Sequence, residues 1–188
     1  MAIKIYIDQG HNPVNPNAGA EGNGLREQDI VYTIGQLLAD RLRRSGNYEV
    51  KLSRPTPSSQ LGNSNSTSLR YRVDDANSWG ADYFISLHNN ASDNPGANGV
   101  EAYAYAQNTP AFFLGEDIVE GIVDAVGVKN RGMKVRPGLY VLKKTAMPAV
   151  LVELGFITNP REAALMSNSP NLYADGIYNG IVEFTGVR

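Results

Sequence analysis

Ile3-Lys4-Ile5-Tyr6-Ile7-Asp8-Gln9-Gly10-His11 is a short apolar run that breaks into an acid, a glycine and one of only two histidines in the chain. It reads as a strand with chemistry at its carboxyl end. The second histidine closes a run of the same kind, Asp82-Tyr83-Phe84-Ile85-Ser86-Leu87-His88. A third run, Pro148-Ala149-Val150-Leu151-Val152-Glu153, ends in a carboxylate. Three buried-type strands thus each deliver an ionisable group at the carboxyl end. In an open α/β sheet that edge is where ligands and chemistry collect. The rest of the chain is then the scaffold that unites the three ends.

Working outward, residues 9–24 are rich in Gly, Asn and Pro and predict a loop. A helix is expected from about residue 26, because Ile30, Ile34, Leu37, Leu38 and Leu42 recur at helical spacing, and Ser45-Gly46 ends it. Residues 48–53 alternate like a strand, which Arg54-Pro55 stops. The polar stretch 56–68 reads as a surface loop, followed by a helix over about 69–78. Residues 99–105 alternate again. Thr109-Pro110 has the form of a cap and first helical residue, with Phe113, Ile118, Ile122, Val123 and Val126 as the buried stripe. Residues 138–142 suggest a short strand. Asn159-Pro160-Arg161-Glu162 reads as a second cap with Glu162 closing a capping box, and Ser169-Pro170 opens the last helix. Strands alternating with helices predict an α/β fold, a single domain over 1–188 with a mostly parallel twisted sheet and helices on both faces.

Composition narrows the function. The chain has 188 residues, enough for one domain with a sizeable core. With 17 basic and 19 acidic residues the net charge is -2, which argues against a nucleic-acid binder held by bulk electrostatics. There is no cysteine, so any metal must use His, Asp or Glu. No signal peptide and no membrane-spanning run are visible.

His11 and His88 are far apart in sequence, so only the fold can unite them. Glu27 opens the helix after the His11 loop, and its carboxylate can point back at the same edge. Two imidazoles and a carboxylate suit zinc and leave a position open. Zinc lowers the pKa of a water towards ~7 and polarises a carbonyl. Glu153 could then take a proton and hand it to a leaving amine. Each residue also has a plainer reading. A strand-end histidine can simply be a hydrogen-bonding group, and Glu27 a carboxylate that complements a helix dipole. Glu21 is a rival ligand with nothing to fix it. Glu153 is the sharpest candidate, since an acid directly after Ala-Val-Leu-Val is costly to bury without a partner or a role. Asp8 could orient an imidazole or be a turn residue. Asn90 could bind substrate or fix a turn, and Glu101 stays unassigned.

The blocks Asp8-Gln9-Gly10-His11, Gly24-Leu25-Arg26-Glu27, Leu52-Ser53-Arg54, Ala81-Asp82 through His88-Asn89-Asn90, Gly99-Val100-Glu101 and Met147-Pro148 through Glu153-Leu154-Gly155-Phe156-Ile157-Thr158-Asn159 extend over nearly the whole chain. In this order they resemble the zinc-dependent N-acetylmuramoyl-L-alanine amidases of the type 3 class, which are bacterial and phage cell-wall hydrolases. The resemblance implies zinc ligands at His11, Glu27 and His88 and a catalytic glutamate at Glu153. It implies cleavage of the amide between N-acetylmuramic acid and the L-alanine of the stem peptide. Peptidoglycan is then the partner, the cell wall the place of action and a monomer the expected state, without nucleic acid or membrane. Two departures stand out: Gln9 replaces the family's turn proline, and Asn12-Pro13 follows His11 where the family has Gly-Gly. Rival readings are a zinc carboxypeptidase or aminopeptidase on the same scaffold, with Arg136 as a carboxylate clamp, and a wall-binding module without chemistry.

Overall fold

The opening run folds as strand β1 (Ile3–Gln9), with residues 5–9 all buried. The computed structural model describes residues 2–187. A two-residue hairpin follows, β2 (Glu21–Gly22) and β3 (Leu25–Arg26), and then helix α1 (Glu27–Ser45). Next come β4 (Tyr48–Leu52), α2 (Asn65–Trp79), β5 (Tyr83–Asn90), β6 (Val100–Ala104) and α3 (Pro110–Val126). The chain continues through β7 (Asn130–Val135), α4 (Tyr140–Lys144), β8 (Ala149–Phe156), α5 (Pro160–Asn168) and α6 (Pro170–Thr185). The main sheet has six strands in the order β4-β1-β5-β8-β6-β7. The strands β4, β1, β5 and β8 are mutually parallel; β6 runs antiparallel to β8, and β7 parallel to β6.

Alternation along these strands feeds two cores. Ile5, Ile7, Ile85, Leu87, Ala102, Val150 and Val152 face α1, α3 and α6. Tyr6, Phe84, Tyr103 and Leu151 face α2 and α4 on the other side. The expected α/β domain, mostly parallel with helices on both faces, is the one observed. Helices α3 and α6 meet along glycines: a Cβ on Gly121, Gly176 or Gly180 would lie 2.3–2.6 Å from backbone atoms of the facing helix. Only residues without a side chain let the two backbones come so close.

Four local expectations are corrected. The second helix starts at Asn65, not near residue 69, because Ser64 and Thr67 close a reciprocal capping box inside the polar stretch. Residues 138–142 lead into helix α4, and the strand lies earlier, at Asn130–Val135. Phe113 is 47% exposed, and the buried stripe of α3 is Ala111, Leu114, Ile118, Val119 and Ile122. Glu162 makes no capping box. Its carboxylate instead accepts from Gly99 N (2.7 Å) and Phe156 N (2.8 Å), two strand-end amides that would otherwise be buried without partners.

Candidate active site

Strand β1 ends in Asp8 and Gln9, and both side chains are consumed by the scaffold. Arg72, from α2, donates to Asp8 Oδ1 (2.5 Å), Gln9 O (2.7 Å) and His11 O (2.5 Å). Ser86 Oγ donates to Asp8 Oδ2 at 2.8 Å. Burial by itself would raise the Asp8 carboxyl, but the charge and hydrogen bond of Arg72 outweigh it and hold it below the usual range. Among the described residues Asp8 therefore makes no hydrogen bond to either imidazole. It acts on His11 through Arg72, which fixes the His11 carbonyl. Gln9 stands where the family's proline was expected; its N–H donates to Ser53 Oγ, and its Oε1 accepts from Arg54 N, so it welds β1 to the end of β4.

His11 has φ +65°, a left-handed conformation that non-glycine residues rarely adopt. Its Nε2 lies 3.1 Å from Glu27 Oε1 and 3.1 Å from His88 Nδ1. His88 Nδ1 is in turn 3.1 Å from Glu27 Oε1. The three donor atoms form a nearly equilateral triangle. Glu27 is buried and over-determined: Oε1 also accepts from Asn89 N (2.8 Å) and Oε2 from Ala20 N (2.9 Å). Burial works to raise this carboxyl, yet the hydrogen bonds of His11 and His88 win and hold it ionised, well below the usual range. Two glycines shape the walls. A Cβ on Gly10 would fall 2.6 Å from His88 Cε1, and one on Gly19 would fall 2.8 Å from Glu27 Oε2 and 2.9 Å from His11 Cδ2.

These atoms fit a small divalent cation. Donors held at 2.0–2.1 Å from a tetrahedral zinc lie roughly 3.3 Å apart, close to the observed spacing. His11, Glu27 and His88 are the group of metal-type ligands found together among the described residues. One customary feature is missing: His11 Nδ1 is buried without a hydrogen-bond partner among the described residues. Its ring is held instead by the left-handed backbone, by Gly19 and by an edge-on contact with the His88 ring, at 4.8 Å between centroids.

Glu153 lies within β8 rather than at its end. Its backbone is in register with His88 on one side and Glu101 on the other. Its Oε2 is buried and has no hydrogen-bond partner among the described residues. Burial, then the charges of Glu27 and Glu101, push its carboxyl up to about 8, against a smaller opposing pull from Arg136. A carboxyl so placed exchanges a proton near neutral pH. Glu101, unassigned from sequence, is the hub of the neighbouring network. It accepts from Asn90 Nδ2 (3.0 Å), Tyr103 Oη, Arg131 Nε (2.6 Å) and Lys134 Nζ. Burial raises it, but Lys134, Tyr103 and Arg131 together bring it down to about 2. Asn90 is thus spent on Glu101.

The structure brings His11, Glu27, His88 and Glu153 to one place and leaves Glu21 exposed on the β2–β3 hairpin. Sequence reasoning missed Arg72 as the brace. The available signal was a long cation at a buried helical position, three residues after Leu69 and four before Ala76.

A parallel-sheet scaffold that aims two imidazoles and a carboxylate at one point, beside a second carboxylate of raised pKa, defines a hydrolase of the metal-assisted class. Comparison with known proteins gives the family. The model of the N-acetylmuramoyl-L-alanine amidases matches residues 5–183. An N-acetylmuramoyl-L-alanine amidase of Bacillus licheniformis, CwlM, is 36% identical over 185 residues, covering 96% of this chain and 68% of that protein. The sporulation-specific amidase of Bacillus subtilis (strain 168) is also 36% identical, with the same coverage of 96% and 68%. Among solved structures, the N-acetylmuramoyl-L-alanine amidase of Clostridium difficile 630 superposes with a TM-score of 0.88 at 29% identity, covering 100% of this chain and 98% of that one. The chain belongs to the N-acetylmuramoyl-L-alanine amidase family. It is an enzyme of cell-wall hydrolysis, with peptidoglycan as substrate, from a family that is in general zinc-dependent. Among the described residues no helix is long and apolar enough to cross a membrane.

Proposed function

We propose that His11, Glu27 and His88 hold a zinc ion and that Glu153 is the proton carrier for cleavage of the amide between N-acetylmuramic acid and L-alanine. The observation that carries this reading is the 3.1 Å triangle of donor atoms with Glu153 on the adjacent strand. Zinc would supply Lewis acidity, polarising the scissile carbonyl and making a water acidic. Glu27 stays ionised and brings one negative charge to the site. Glu153 takes a proton from the attacking water and delivers it to the departing alanine nitrogen, so one carboxylate serves as base and then as acid. Its raised pKa suits both halves of that task. The catalytic domain, residues 1–188, acts as a monomer on the wall polymer.

Digestion of purified peptidoglycan tests this, with a chelator and zinc add-back and with products read by mass spectrometry. Soluble peptides beginning in L-alanine are expected, lost with chelator and restored by zinc. Peptides cut elsewhere in the stem would make the enzyme a peptidase. Binding to the wall without any release would refute the catalytic reading. A second expectation follows from Gly10. Gly10→Ala drives a methyl into the His88 ring, and the backbone carbonyl of Leu87 at 2.6 Å blocks escape. Calorimetric zinc titration should show affinity lower by about 10–100-fold, the scale for disturbing what orients a ligand. Unchanged affinity would mean that His88 is not a ligand.

A further inference from the structure

Beside the donor triangle lies a cavity that the proposed chemistry does not use. It is bounded by α2, α4 and β8 and measures about 150 Å³. Its wall carries Leu69, Leu139, Val141 and Leu151 and, on the side of the triangle, Gly10, His11 and His88. Asp8, Arg72 and Asn17 also border it, but Asp8 is spent on Arg72 and Ser86, and Asn17 Nδ2 on Ser68 Oγ at 3.0 Å. Arg72 Nε and His11 Nδ1 have no hydrogen-bond partner among the described residues, yet both atoms are covered and offer no donor to the space. The surface left to an occupant is almost wholly apolar.

Strand alternation fixes where this space lies relative to the chemistry. Phe84 and Leu151 point to the α2 and α4 side of the sheet. With a period of two, His88 and Glu153 project to the same side. His88 is in register with Glu153, and Ser86 with Leu151. The cavity therefore sits one pleat, about 6–7 Å, below the row that holds His88 and Glu153. His11 and His88 are only partly buried, so the two rings that wall the cavity are also within reach from outside. A group attached to a metal-bound head can enter it without crossing the sheet.

Size selects the occupant. A dry cavity of about 150 Å³ lined by aliphatic side chains takes one benzene. An empty apolar void costs stability in proportion to its volume, and burying an apolar group there recovers it. We propose that this cavity is a binding site for a compact apolar group, up to a benzene ring in size, on a molecule whose metal-binding head sits at His11, Glu27 and His88. This rests on the reading of those three residues as zinc ligands.

The test is calorimetric titration of the zinc-loaded enzyme with acetohydroxamate, benzohydroxamate and phenylacetohydroxamate, which share a head and differ in the arm. The better of the two aryl compounds should bind at least about tenfold more tightly than acetohydroxamate. Leu139→Trp, which fills the space, should abolish that gain and leave acetohydroxamate affinity unchanged. Val141→Ala, which enlarges it, should raise the affinity of 2-naphthohydroxamate relative to benzohydroxamate. Aryl compounds no tighter than acetohydroxamate, or a gain unmoved by both substitutions, would overturn the proposal and leave the zinc site intact. Failure of all the hydroxamates to bind, or binding that is the same after zinc is removed, would overturn both.

Discussion

Glu153→Gln should give a folded protein that still titrates zinc but hydrolyses peptidoglycan about 10²–10⁴-fold more slowly, the scale for losing a positioned acid–base group. The substitution keeps size and shape, so packing in β8 is preserved. It removes a group that burial and the neighbouring charges of Glu27 and Glu101 force towards protonation. An amide can neither accept the proton of the water nor return one to the leaving nitrogen. Loss of like-charge repulsion means that stability should not fall. The measurement is kcat from the release of new alanine amino groups, set beside a zinc titration of the same sample. The acid limb of the pH–rate profile should vanish with the carboxylate. Near-normal turnover with zinc bound would remove Glu153 from the mechanism.

Arg72→Leu should destabilise the domain by about 3–5 kcal/mol, the usual cost of leaving one member of a buried pair behind. Asp8 and Arg72 are each 1% exposed, so water cannot replace the lost partner. The carbonyls of Gln9 and His11 lose a donor as well. At roughly 2–4 °C per kcal/mol for a chain of this size, Tm should drop by about 6–20 °C. The pH dependence carries a signature. In the wild type the depressed Asp8 carboxyl contributes stability that is present above the unfolded pKa of about 3.9 and lost as pH falls through the folded value. In the variant, burial, the largest influence on Asp8, is opposed only by the Ser86 hydrogen bond and by His88, so the carboxyl rises and the deficit should shrink on acidification. Asp8→Asn combined with Arg72→Leu should recover part of the loss at neutral pH. A denaturation curve for Arg72→Leu within 1 kcal/mol of wild type would show that the pair does not brace the site.

The sequence made the site legible because each of its members interrupts a pattern. His11, His88 and Glu153 break apolar runs, and Glu27 opens a strongly periodic helix. The strand positions followed from those runs. Sheet order did not, since hydrophobicity says nothing about which strand pairs with which; β6 could not be seen to run against β8, placing Glu101 beside Glu153. Strand β7 was missed because Asn130-Arg131-Gly132-Met133-Lys134-Val135 is polar and interrupted by a glycine, as an edge strand can be. Glu162 was misread because a capping box is a local pattern, whereas its partners, Gly99 N and Phe156 N, come from two strand ends. Asp8 was ambiguous for the same reason: its partner, Arg72, lies on a helix whose start was hidden in a polar stretch.

The glycine seam between α3 and α6 bears on how the chain folds. Helix α6 packs on both α1 and α3 and so completes the layer over one face of the sheet. It is also the last of these elements to be synthesised. Until residues 170–185 have left the ribosome, the apolar side of β1, β5 and β8 has an incomplete cover, and strands far apart in sequence have no closed core to reward their pairing. The domain should therefore close late, once α6 has emerged, rather than strand by strand. A nascent chain halted before α6 should be sensitive to protease throughout, including the segment that carries His11.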